Sequence, residues 1–135
     1  MTPRDPEADE PFIVPDDFEM RGDVAIWRPR GRATLADAAD AITAAVARAR
    51  ARGIRKLVAV TLAITGIAPP DTTERFTFAT AWARAAGGLV ALAIVARVEL
   101  IDPKRFGVLV ATNRGLVADV FDSEEAALHW LRTLP

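Results

Sequence analysis

Three features of the sequence predict a single α/β domain with a mostly parallel central sheet. Residues 56–62 (KLVAVTL) and 89–96 (LVALAIVA) are nearly continuous apolar runs between breakers, as in strands covered on both faces. Segments with helical periodicity separate the runs, which is the alternation of a parallel sheet with crossover helices. A length of 135 residues suits one domain and argues against two.

The elements follow in order. Residues 1–10 (MTPRDPEADE) are read as a disordered acidic tail, and 11–135 as the domain. Two strand signals, at 12–14 and 23–28, with Arg21-Gly22-Asp23 as the turn between them, give the sheet an antiparallel edge. Thr34 can cap a first helix, with Asp37 in its first turn. Leu35, Ala38, Ala39, Ile42, Ala45, Val46 and Ala49 then share a stripe about 120° wide, which suits a helix with one buried face. Arg48, Arg50 and Arg52 crowd the last turns, where cations complement the dipole, and Gly53 ends the helix.

After the strand at 56–62, Asp71 or Thr72 opens a second helix that runs to Ala86. The strand at 89–96 comes next. Asp102-Pro103 reads as the cap and first position of a third helix, which Gly115 stops. Residues 116–121 form the last strand. Asp122-Ser123-Glu124-Glu125 then caps a terminal helix that turns Ala127, Leu128, Leu131 and Leu134 inward. The expected order is β-β-α-β-α-β-α-β-α.

Composition narrows the chemistry. The chain is 51% apolar and 26% charged, which is globular rather than disordered. Cysteine is absent, so disulfides, thiolate catalysis and cysteine-bound zinc are excluded within the chain. His129 is the only histidine, falls on an outward face of its helix and has no placed carboxylate to make it a base. Ser123, the only serine, is better placed as a cap than as a nucleophile. Asn113 is expected to be a buried structural amide, and Glu99 and Asp102 lack metal-ligand spacing. No metal, cofactor or catalytic group is expected.

A net charge of -1 gives no general reason to expect nucleic acid. No apolar run reaches the ~20 residues of a membrane span, and the N-terminus is acidic rather than that of an export signal. A soluble cytoplasmic protein is the expectation. Charge is nonetheless uneven: residues 1–23 carry eight acids against two arginines, while 24–60 carry eight bases against two acids. Either the two segments neutralise one another, or the acidic arm shields a basic surface used by an anionic partner.

Three stretches resemble one family. They are 24–34 leading through an alanine-rich helix into 56–62, the loop Thr65-Gly66-Ile67-Ala68-Pro69-Pro70, and 101–107 through 113–121, closed by 124–131. Together these resemble the STAS-like family typified by anti-sigma-factor antagonists, in its branch of small SpoIIAA-like bacterial proteins. The resemblance implies a non-enzymatic regulatory module. In the phosphoregulated members a serine at the start of the second helix accepts phosphate and switches partner binding. A phosphate there would meet free helix amides. The corresponding residues here are Asp71-Thr72-Thr73, so Thr72 and Thr73 are either modification sites or parts of a helix cap.

The second helix carries the strongest anomaly. By 100° steps its apolar positions, Phe76, Phe78 and Trp82 with five alanines, span roughly 220°, twice what one sheet contact requires. The loop before it, 62–70, is apolar where loops are usually polar. Ile64, Ile67, Pro69, Pro70, Phe78 and Trp82 are therefore the candidate contact residues. They suit a homodimer or other protein partner, a small apolar ligand, or shallow membrane contact. Burying Ile64, Ile67 and Phe78 yields roughly 6 kcal/mol. That is comparable to one fatty chain, which anchors only reversibly, so stable membrane insertion is not expected. Arg30 and Arg32, entering the first helix, are candidate anion contacts, although no glycine-rich phosphate loop accompanies them. Protein contact through 62–70 and 72–86 is the first reading of function, and a carrier or sensor of a small apolar ligand the alternative.

Overall fold

The computed structural model describes residues 10–135; most of the expected acidic tail, residues 1–9, lies outside them. A five-stranded sheet forms the centre, in the order β1-β2-β4-β6-β7. Its strands are β1 (Glu19–Arg21), β2 (Val24–Trp27), β4 (Lys56–Val60), β6 (Ala91–Val95) and β7 (Ala118–Phe121). β1 pairs antiparallel with β2, and all other neighbours are parallel. Among the described residues the α-helices are α1 (Leu35–Ala51), α2 (Thr72–Ala86), α3 (Phe106–Asn113) and α4 (Glu124–Arg132), with a short 3-10 helix at Val98–Leu100.

Alternation along the strands divides the core into two layers. Ala25, Trp27, Leu57, Ala59, Leu92 and Ile94 face α1, α2 and α3. Val24, Ile26, Val58, Val60, Ala93 and Val95 face α4, which contributes Ala127, Leu128 and Leu131. Both faces are covered, which explains why the two middle strands read as unbroken apolar runs. Thr34 caps α1 by accepting the Asp37 amide at 3.1 Å, and Ser123 caps α4 from the Ala126 amide at 3.2 Å.

Three expectations are corrected. The first strand is Glu19–Arg21, whereas at 12–14 only Ile13 bridges to Arg30. β1 is an exposed edge, so nothing in packing demands the apolar alternation by which a strand is read. The third helix begins at Phe106, not at Pro103. Asp102 instead closes a turn, its carboxylate accepting the amides of Lys104 at 3.0 Å and Phe106 at 2.9 Å, with Arg105 left-handed at φ 53°. Asn113, expected to be buried, is exposed at the last position of α3.

A second, two-stranded sheet has no clear signal in the sequence. β3 (Gly31–Arg32) pairs parallel with β5 (Ile64–Thr65). Gly31, at φ 103°, has the Pro11 carbonyl where a side chain would stand, 2.0 Å from an added Cβ. This small sheet fixes the start of the apolar loop, because the Gly31 amide donates to Ala63 and the Ala33 amide to Thr65, both at 3.0 Å.

The described part of the acidic segment lies against the basic one. Arg28 pairs with Glu19 at 3.0 Å, Arg30 with Glu10 at 3.4 Å, Arg52 with Asp17 at 3.6 Å and Lys56 with Asp23 at 3.6 Å. The three arginine pairs are exposed and contribute about 0–1 kcal/mol each, whereas Lys56 is buried and also donates to the Leu134 carbonyl at 3.1 Å.

Candidate functional site

A cavity of about 130 Å³ lies at the carboxyl ends of β4 and β6, between the sheet and the helices of one face. Its floor is Ile94 of β6, Ala96 just after that strand, and Val120 of β7. Leu35, Ala38, Ala39 and Ile42 of α1 form one wall. Phe78 and Trp82 of α2 form the roof, and Ile64, Ile67, Ala68 and Pro70 close the side where the loop enters α2. Arg75, Asp102 and Arg105 also line it, with Gly107 and Val108 of α3. The surface is almost wholly apolar, and the cavity is partly open to solvent.

Local sequence explains this arrangement. The breaker-rich stretch 66–70 cannot extend a strand or helix, so it arches over the cavity before Asp71 starts α2. Asp71 and Glu74 form a reciprocal cap: the Glu74 amide donates to Asp71 at 2.7 Å, and the Asp71 amide to Glu74 at 3.0 Å. Phe78 and Trp82, one turn apart, stack with centroids 6.0 Å apart. The Trp82 Nε1–H donates to the Ala39 carbonyl at 3.2 Å, tying α2 to α1.

Five of the six predicted contact residues line this one space: Ile64, Ile67, Pro70, Phe78 and Trp82. Pro69 is exposed on the loop and does not line it. Ile64 is fully buried, whereas Ile67, Phe78 and Trp82 are half-buried. Thr72 and Thr73 are exposed in the first turn of α2. A phosphate on either would stand beside the two capping carboxylates. Arg30 is engaged by Glu10, and Arg32 is exposed with its stem against Gly66.

Arg75, Asp102 and Arg105 were not legible as site residues. A signal for Arg75 exists: positions 75, 78 and 82 are spaced i, i+3 and i+7, so Arg75 shares the helix face of the two aromatic residues. Its guanidinium reaches only the Leu100 carbonyl, at 3.4 Å from each Nη. Asp102 is held below the usual aspartate pKa, chiefly by the Phe106 amide, then by the Lys104 amide, and further by the Arg75 and Lys104 charges. Arg105 is bonded to Asp119 and to the Val120 carbonyl.

No protein-family model and no curated protein sequence matches the chain. Solved structures do. The crystal structure of an anti-sigma factor antagonist from Mycobacterium paratuberculosis superimposes with a TM-score of 0.56 at 17% identity, covering 95% of this chain and 97% of that one. The chain has a STAS-like fold. The NMR structure of the protein TM1081 is more distant, with a TM-score of 0.46 at 17% identity over 87% of this chain and 88% of its own. Within this STAS-like domain, no helix among the described residues is long and apolar enough to cross a membrane.

Proposed function

We propose that this STAS-like domain is a non-enzymatic regulatory module of the bacterial cytoplasm that senses or carries a small apolar group beneath α2. One observation carries the reading: the aromatic face of α2 is turned onto a void. Apolar surface that an occupant removes from water in such a space contributes roughly 25 cal/mol per Å². Benzene and xenon occupy apolar cavities of similar volume. The roof is one short helix and a loop, so occupancy bears directly on how α2 is seated. The non-enzymatic reading is supported by the engagement of Asp102, whose two carboxylate oxygens are both bonded to backbone amides.

Equilibrium unfolding with and without saturating toluene tests this. A ligand that binds only the folded state raises the unfolding midpoint with its concentration. An identical midpoint in toluene contradicts the proposal.

A second reading, contact with a protein partner, is favoured by the name of the fold neighbour, an anti-sigma factor antagonist. The outer face of α2 exposes Thr72, Thr73, Thr77 and Phe76, the last at 42% exposure with Arg114 over its ring. Trp82, bonded to α1, is the wrong residue with which to test that face. Light scattering on Phe76→Glu is the appropriate measurement: a homodimer through α2 falls to half its mass, and an unchanged mass removes that version.

A further inference from the structure

The cavity lining is mostly apolar, and its buried hydroxyl, on Thr61, is satisfied by the Val95 carbonyl. The charged residues Arg75, Asp102 and Arg105 also line it. Two of the three are already committed. Asp102 has one oxygen on the Lys104 amide and the other on the Phe106 amide. Arg105 is neutralised by Asp119 and also bonded to the Val120 carbonyl.

Arg75 differs. Both of its terminal nitrogens make only long contacts of 3.4 Å, to a single carbonyl, that of Leu100. Among the described residues no carboxylate lies within 4.0 Å of it. Its stem packs against Gly107 of α3, the Arg75 Cβ lying 3.9 Å from where a glycine side chain would start. The side chain is thereby held on the cavity face of α2, in line with Phe78 and Trp82. The Arg75 charge favours the ionised Asp102 without a direct bond to it, so a half-buried guanidinium on the lining of an apolar chamber keeps unused donors, which a planar anion with its own apolar body matches.

We infer that the occupant is a small apolar monocarboxylate: its hydrocarbon part lies beneath Phe78 and Trp82, and its carboxylate pairs with Arg75. This rests on the cavity being a binding site, and it adds the chemical class of the ligand. An apolar part the size of one benzene ring suits the volume.

Phenylacetate, ionised at neutral pH, and its neutral isostere phenylacetamide separate the two claims by calorimetric titration. Phenylacetate is expected to bind the wild type ~10-fold or more tightly than the amide, the scale of one charge-assisted pair. Arg75→Met should erase that preference while leaving the affinity for the amide unchanged, which also shows that the variant is folded. Arg75→Lys, which keeps the charge but not the fork, should retain part of the preference and serves if the methionine variant does not fold. Equal binding of the two compounds to the wild type overturns the carboxylate assignment and leaves the cavity reading standing. A preference that survives both substitutions overturns the role of Arg75. No binding of either compound overturns the inference and the reading beneath it together.

Discussion

The indole N–H of Trp82 donates to the main-chain carbonyl of Ala39, 3.2 Å away on the neighbouring helix. This bond ties α2 to α1, and both residues line the cavity. The Ala39 carbonyl also accepts from the Thr43 hydroxyl at 3.0 Å, so loss of the indole does not strand it. Trp82→Phe removes one hydrogen bond and keeps a ring in place. The expected loss of stability is about 0.5–1.5 kcal/mol, read from urea unfolding midpoints at unchanged slope.

Filling the void should do the opposite. Ala96 is 7% exposed on the cavity floor, just after β6. Ala96→Val adds two carbons on the cavity lining. Stability should rise by about 0.5–2 kcal/mol, while stabilisation by toluene should be lost. A destabilised variant that still responds to toluene would show that the space is not where Ala96 borders it.

The first helix offers a control on the fold itself. Ile42 is 5% exposed, packs in the core between α1 and the sheet, and lines the cavity. Ile42→Ala should cost about 2–5 kcal/mol, toward the lower end because a void already exists beside it.

Asp102 gives the turn before α3 a pH dependence of known sign. Its folded pKa lies below the ordinary aspartate value, because the Phe106 and Lys104 amides and the Arg75 and Lys104 charges favour the ionised form. Its contribution is therefore complete above that ordinary value and disappears as pH falls through the lowered one. Asp102→Asn should destabilise the protein at neutral pH, and the gap from wild type should close in acid. Paired urea titrations at the two pH values check this.

Much of the sheet was legible because burial on both faces writes itself as unbroken runs, and β4 and β6 sit within those runs. Caps were legible where one side chain does the work, as Thr34 and Ser123 do, whereas at α2 the reciprocal pair of Asp71 and Glu74 decides between Asp71 and Thr72. The exposed edge strand β1 was not, since no packing constrains its residues. The turn at Asp102 was misplaced because Asp-Pro suits a helix start and a helix approach equally; the left-handed Arg105 decides between them only in three dimensions. For the site, the excess of apolar residues on α2 pointed to Phe78 and Trp82. What it could not show was that α1, assigned wholly to the core, supplies the opposite wall. Arg75 shares that face by its spacing, but a single charge there has the same pattern in sequence as a solvated residue.

The most direct test of the cavity is diffraction from a crystal under xenon pressure, since xenon enters dry apolar spaces and scatters strongly. A xenon site enclosed by Ile42, Ile64, Phe78 and Ile94 is the expected result. Contradiction would come from a crystal in which those four side chains close on one another and no xenon lies between them.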